Sequence, residues 1–415
     1  MTARALPVPP RDDDDVVEWV DLHLGDLATP VATADSPDRM RGGQQEADAA
    51  LQSFDVRGYA RLRNNVWPIS TRGSSRLSPY IRHGLLTLRE VWKHVATGPR
   101  DDVSKFRDEL LWQEYARHLY ARMGTATRSS LRYVVDEHSR ADSVSDVNHP
   151  WISSALCLDS TWTELIEDGW LTNQTRMWMA SQWNVREGLG WRDGEDLMFS
   201  HLLDGSRAAN RLGWQWSVGA LTGKAYGFSR WQVEKRAPGM CGRCPLEQAC
   251  PITDWPAVQE RDPRASTDPR LRRDEDLAAT SGPAGVEQHE EPEAVWLTAE
   301  SLSDRDPASA VFTELPIIFV FDEPLLSRLR LSANRLRFLS ESLADLASRR
   351  DVQVWRGDPV EVLRGKRLAT TFAPVPGWKS RAAHLDITSL HPWPWLERPR
   401  AGSVTSYTAW VKGRR

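Results

Sequence analysis

From Gly42 to about Pro256 the apolar positions recur at helical spacing. The clearest helix is predicted from Ser104 to Met123. There Phe106, Leu110, Leu111, Tyr115 and Leu119 share a face, Ser104 serves as N-cap and Gly124 as the stop. The run RDPRASTDPRLRRDEDLAATSGPAGVEQHEEPEA then breaks the pattern with charge, Pro and Gly, and reads as a flexible linker. Beyond it, AVWLT and LPIIFVFD are short apolar runs suited to buried parallel strands. Leu336, Leu339, Leu343 and Leu346 mark an amphipathic helix before VQVW, which makes this a βαβ region. It lacks a G-x-G-x-x-G loop, so no dinucleotide fingerprint supports a cofactor there. Residues 1–41 show no sustained periodicity apart from VVEWVDLHLGDL, a short strand or helix, and are expected to form a wrapping linker. The boundaries predicted are a linker-like 1–41, a helical domain 42–256, a flexible linker 257–292, a small α/β domain 293–400 and a C-terminal extension 401–415.

A chain of 415 residues with 40% hydrophobic content can bury two cores. No stretch approaches the roughly 18 apolar residues of a membrane span, and MTARALPVPPRDDDDV has no apolar signal-peptide core, so a cytoplasmic location is expected; a monomer is expected as well, without a sequence feature that decides it. The net charge of −4 argues against wholesale binding to polyanions, but its distribution is uneven. Between Arg57 and Arg100, nine Lys or Arg residues stand against one acid, Glu90. Such a stretch faces nucleic-acid phosphates or a pyrophosphate, or is a solvated surface balanced elsewhere. The 20 tryptophans exceed what core filling asks, and point to stacking or electron conduction.

Three stretches carry candidate chemistry. STRGSSRLSPYIRHG, residues 70–84, offers hydroxyls and amides for a diphosphate, or is an ordinary helix entry. LLDGSRAANRLGWQW follows GWLTNQTRM. Asp204 and Arg176 would each be costly to bury alone, so a pair between them is expected, structural or beside a cofactor. In MCGRCPLEQACPI stand Cys241, Cys244 and Cys250, with Cys157 well upstream. Four clustered thiols suit a zinc site or an iron-sulfur cluster, and spacing alone does not separate the two.

Tyr59 with Arg63, then SSRLSPY, DELLWQEY, GWLTNQTRM and WRDGEDLMFSHLLDGSRAANRLGWQW, resemble in order and spacing the flavin-binding domain of the photolyase and cryptochrome family. The resemblance spans roughly residues 42–230 and implies an all-α domain holding a folded-back FAD, followed here by the α/β (Rossmann-like, parallel-sheet) domain. It further implies a blue-light-driven DNA photolyase acting on UV-damaged DNA, or a cryptochrome-like photoreceptor, or a light-independent flavin protein binding nucleic acid. Carried over by position, Tyr59, Ser74, Ser75, Arg76, Leu77 and Ser78 match contacts to the FAD phosphates and ribityl chain. Asn173, Arg176, Asp204 and Asn210 match those around the isoalloxazine. Trp214 and Trp191 match the inner and middle members of a photoreducing relay, with Tyr133 or Trp151 as substitutes for an outer member that is not evident. Glu109, Trp112, Met177 and Trp216 match residues that meet a flipped-out pyrimidine dimer.

The α/β segment resembles the family's antenna domain, which normally comes first, so the chain resembles a circular permutant. TAESLSDRDP lacks the arginines of that domain's first strand, so an antenna chromophore is not supported. The cysteines resemble the iron-sulfur branch of bacterial photolyases, implying a 4Fe-4S cluster on Cys157, Cys241, Cys244 and Cys250, with zinc as the alternative. Arg63, Lys224, Arg230, Lys235, Arg236 and Arg243 are candidates for DNA phosphates. Gln113 and Gln174 stand where arginines are usual, and Ser206 replaces the second acid of Asp-x-Asp.

Overall fold

The computed structural model describes residues 3–31, 39–140, 155–257 and 260–414. Trp151, one substitute outer relay member, lies outside the described residues. Among those described, no helix is long and apolar enough to cross a membrane.

The helix predicted from Ser104 runs Arg100–Met123, starting a turn earlier because Pro99 opens it and Asp101 and Asp102 favour its N-terminus. The Asp102 carboxylate accepts the Gly58 and Ala60 amides at 2.8 and 2.9 Å, fastening the segment that carries Tyr59. Gly124 ends the helix at φ 54°, as its lack of a side chain permits. Four more helices complete the site-forming bundle: Leu156–Glu167, Asn173–Ala180, Trp191–His201 and Ala209–Ser217.

Among the described residues the sheet has seven strands: β1 Arg4–Leu6, β2 Glu287–Gln288, β3 Ala294–Leu297, β4 Ile317–Asp322, β5 Val352–Gly357, β6 Leu368–Thr371 and β7 Ile387–His391. Their order is β1-β5-β4-β3-β6-β7-β2. The five central strands are parallel and both edges antiparallel, so the sheet is mixed where a parallel one is expected. The predicted leucine helix is Ala333–Ala347, capped by Ser332, with all four leucines in the core.

Two segments read as linkers are built into the fold. In the N-terminal one, β1 pairs with β5 and the Asp13–Leu24 helix buries Trp19, Val20 and Leu24 in one core with Leu336, Leu339 and Leu343. In the 257–292 segment, Leu271 is buried, Asp274 pairs with Arg122 at 3.1 Å and β2 closes the sheet edge. These contacts reach partners distant in sequence, and short segments without periodicity give no local sign of them.

The leucine helix also docks the sheet against the bundle. Asn334 Nδ2 donates to the Ile166 and Glu167 carbonyls, and the buried Arg335 guanidinium donates to those of Phe199 and Gly205 at 2.5 and 2.6 Å. A Cβ on Gly205 would lie 2.4 Å from that guanidinium, so the close approach requires glycine. The turn carrying Asp204 is thus held from the α/β side.

Candidate functional site

One cavity of about 1270 Å³ lies among the helices and extends to the sheet. It exceeds the roughly 300–1,000 Å³ usual for a small ligand. Its wall includes Tyr59, Arg63, Ser74, Ser75, Arg76, Ser78, Glu109, Trp112, Asn173, Arg176, Met177, Asp204, Asn210, Trp214 and Trp216, all singled out in the sequence. It reaches Asp322, Arg328, Pro376 and Arg381, beyond the C-terminal ends of β4 and β6 on either side of β3. Crevices of α/β sheets open at such a switch point. Leu77 is fully buried behind the wall, and Trp191 is likewise buried outside it. Lys224 and Arg230 lie off the cavity. Arg230 is bonded to Glu234 and to the Glu247 carbonyl.

The serine loop enters the wall in irregular backbone. Arg76 holds φ 56°, a left-handed conformation uncommon outside glycine and typical of sites where backbone is forced to face a ligand. Its guanidinium lies 5.5 Å from the Trp170 ring, and the Trp170 indole donates to Ser78 Oγ at 3.1 Å.

Opposite, Thr172 caps the Asn173–Ala180 helix by accepting the Thr175 amide. This sets Asn173 and Arg176 on one helical face, an i, i+3 pair. Arg176 is pinned at both ends: Nε donates to the Leu171 carbonyl at 3.1 Å and Nη2 to Asp204 Oδ2 at 2.7 Å. Asp204 Oδ1 is buried without a partner among the described residues. A buried carboxylate oxygen left so is costly, and it fits a donor on a bound group. Asn210 Nδ2 donates to the Glu195 carbonyl and carboxylate at 3.1 and 3.2 Å, turning its amide oxygen away from them.

Glu195 was missed in the sequence. Its fully buried carboxylate is bonded by Arg192, Arg207 and Arg211. Arg207 lines the cavity with its guanidinium 3.7 Å from the Phe199 ring centroid. It stands beside Ser206, where the usual acid is absent, and that exchange of charge is the only sign of it in the sequence. Counting Asp196, four arginines here face three acids, so the wall favours an anionic occupant.

Across the cavity, Glu109 pairs with Arg63 at 2.9 Å and Lys105 at 3.3 Å. Burial first, then the Glu109 carboxylate, pushes the Tyr59 phenol up, so it remains a donor. Trp216 is 37% exposed, with its ring 5.9 Å from Tyr226. Tyr226 in turn accepts from Gln174 at 3.1 Å.

The four cysteines are free thiols lining a second, small cavity with Leu156, Val233, Met240 and Ile252. Cys244 Sγ accepts the Leu156 amide at 3.4 Å. Burial, then the neighbouring Cys241, Cys250 and Cys244, pushes the Cys157 thiol up to about 12, so four thiolates here need a cation to coexist. Among the described residues no group of three or more His, Cys, Asp and Glu is placed to hold a metal ion. The 4Fe-4S expectation therefore has the thiols in one place without a formed metal site.

Fold and cavity together define a helical domain suited to an extended, phosphate-bearing planar cofactor beside an α/β sheet. Residues 106–235 match the FAD binding domain of DNA photolyase, which places that segment, about a third of the chain, with the photolyase and cryptochrome family. It is 26% identical over 192 residues to a deoxyribodipyrimidine photo-lyase of Synechococcus, covering 42% of this chain and 38% of that one. To that of Streptomyces griseus it is 27% identical over 190 residues, covering 45% and 41%. The chain thus spans about two fifths of the length of these curated relatives. A class III photolyase structure from Agrobacterium tumefaciens matches at 24% identity and TM-score 0.35, over 42% of this chain and 37% of that one.

Proposed function

We propose that the large cavity holds FAD and that the protein is a blue-light-driven photolyase acting on pyrimidine dimers in UV-damaged DNA. The observation that carries this reading is that most of the residues matched by position to flavin and lesion contacts line one cavity. Bound and reduced, FAD would supply an electron to the lesion under light and would take it back once the bonds joining the two bases have broken.

The protein's own groups bind and orient. Ser74, Ser75, Arg76 and Ser78 hold the phosphates, with Tyr59 donating beside them. Arg176, fixed by Leu171 and Asp204, favours negative charge on the ring system, and Asp204 Oδ1 accepts a hydrogen bond from it. Asn210, its amide nitrogen held by Glu195, would offer its amide oxygen to the ring system. Trp112 and Trp216 give the flipped bases indoles in place of lost stacking partners, over Met177. Glu109 hydrogen-bonds the base while Arg63 meets its phosphate. Trp214 and Trp191 would pass electrons to the flavin, and Lys224, off the cavity, would meet DNA phosphates.

For the thiols we read a 4Fe-4S cluster. A single zinc at roughly 2.3 Å from each sulfur would need them drawn together about one ion. Here the four thiols line one small apolar cavity, and it is the resemblance of their spacing to the iron-sulfur branch that supports the cluster over zinc. The cluster would tie the Leu156–Glu167 helix to the 241–250 loop. The helical-first order of the domains is read as a circular permutation, and the location as cytoplasmic.

A photoreceptor without repair is the second reading, favoured by Gln113 and Gln174 standing where the family's arginines meet DNA. Illumination of reduced protein with oligonucleotides carrying a cyclobutane dimer or a (6-4) photoproduct separates the two. Loss of either lesion supports repair and names the substrate. Flavin photoreduction with both lesions intact removes the enzyme.

A further inference from the structure

The C-terminal Tyr407–Lys412 helix lies outside the segment matching the flavin-domain model and packs on the Arg100–Met123 helix. Its Tyr407 ring is stacked on Trp112, with centroids 4.0 Å apart and planes 12° apart. The Tyr407 hydroxyl donates to the carboxylate of Asp108, which stands one turn before Trp112 on the same helix face. Tyr115 meets Trp112 edge-on at 5.8 Å.

The short helix is anchored independently of that stack. Ser406 caps it by accepting the Ala409 amide at 3.2 Å. The Trp410 indole donates to His118 at 3.0 Å, the Tyr115 hydroxyl to the Val404 carbonyl at 2.9 Å, and Arg414 pairs with Glu397. Tyr407 is therefore set in place by contacts one and two turns further along the long helix.

We propose that Tyr407 is a positioning residue for Trp112: it covers one face of the indole and fixes its plane, so that a flipped-out pyrimidine stacks on the cavity side alone. The proposal rests on reading the cavity as a lesion pocket. A tryptophan on a cavity wall can swing about two side-chain torsions, and freezing it on binding costs affinity. The stacked phenol and the edge-on Tyr115 remove that freedom beforehand. The geometry also excludes a base from lying between Trp112 and the C-terminal helix.

The test compares flavin-loaded wild type, Tyr407→Phe, Tyr407→Ala and Trp410→Phe. Trp410→Phe loosens the same helix without removing the stack. Oxidation of Trp112 by N-bromosuccinimide, mapped by mass spectrometry, reads its cover. Dark binding of an oligonucleotide with one thymine cyclobutane dimer reads its positioning. Tyr407→Ala is expected to speed Trp112 oxidation several-fold and weaken binding roughly three- to tenfold, with the flavin spectrum unchanged. Tyr407→Phe restores both, because the ring remains, and Trp410→Phe lowers the melting temperature only.

Equal oxidation and binding in Tyr407→Ala and wild type would overturn the proposal. So would Tyr407→Phe as defective as Tyr407→Ala, or Trp410→Phe matching it. Tyr407→Leu replaces Tyr407→Ala if the latter does not fold. Wild type with no dark affinity for dimer DNA would overturn the lesion-pocket reading and the positioning role, and the oxidation pattern would still report whether Tyr407 covers Trp112.

Discussion

Arg176 Nη2 lies 2.7 Å from Asp204 Oδ2, while Asp204 Oδ1 is buried with no partner among the described residues. A donor on a bound group would satisfy this oxygen, and on the proposed FAD site the pair would link flavin binding to stability. Asp204→Asn leaves a largely buried guanidinium without its counter-charge, which costs roughly 3 kcal/mol. The expected outcome is a lowered melting temperature and a flavin-to-protein ratio well below that of wild type, even after incubation with excess FAD. Full flavin occupancy in the variant would remove Asp204 from the binding site.

The thiol cavity makes a separate prediction. Anaerobically purified protein is expected to contain iron and acid-labile sulfide with a broad absorption shoulder near roughly 400 nm. Cys157→Ala should lose both and melt earlier, because the link from the Leu156–Glu167 helix to the 241–250 loop is gone. Stoichiometric zinc without sulfide would replace the cluster by a single ion. Absence of any metal would leave the four thiols, of which Cys157 is buried, with only a packing role.

Legibility followed the range of the contacts. Phe106, Leu110 and Leu119, or Leu336 and Leu343, repeat at helical spacing, and the structure buries them as expected. The cavity residues were legible because family resemblance marks positions, and most of those positions meet on one wall. Strand Arg4–Leu6 was not, since three residues carry no period and its partner is β5, far along the chain. Leu271 and Asp274 sit in a run whose composition signals disorder, and only Arg122 and the C-terminal segment reveal why it is ordered. Glu195 read as an ordinary helical acid, because its three arginines converge only after two helices pack.

Glu114 offers a pH-dependent test away from the cavity. Burial pushes its carboxyl up to about 7 from 4.5, against the opposing effect of Arg117. Between those values the unfolded chain releases the proton while the folded chain keeps it, so this residue's contribution to stability falls as pH rises and levels off above about 7. The full loss is about 3 kcal/mol at most. Glu114→Gln retains an acceptor for the Glu397 amide and loses the charge. Its melting temperature minus that of wild type is expected to increase from pH 5 to 8. A difference independent of pH would show that Glu114 titrates normally.

Gly194 tests the electron path. A Cβ there would lie 2.3 Å from Trp214 Cη2 and 3.0 Å from Trp183 Cδ1, so the two indoles close over one glycine in the Trp191–His201 helix. Either ring yields only at the expense of a hydrogen bond, since Trp214 Nε1 donates to Met198 Sδ at 3.4 Å and Trp183 Nε1 to the Gly190 carbonyl at 2.8 Å. Gly194→Ala gains roughly 1 kcal/mol of helix propensity and loses about 1–3 kcal/mol to overpacking, so it should melt somewhat earlier than wild type. Photoreduction of bound flavin should also slow several-fold as the Trp214 ring is displaced, and Trp214→Phe should slow it more than tenfold. Trp183→Phe reports on a branch that the sequence did not suggest: slowing there would extend the relay to Trp183, and a wild-type rate would confine it to Trp214 and Trp191. Laser-flash absorption of the three variants measures all of these rates, and an unaltered rate in Trp214→Phe would exclude Trp214 from the path.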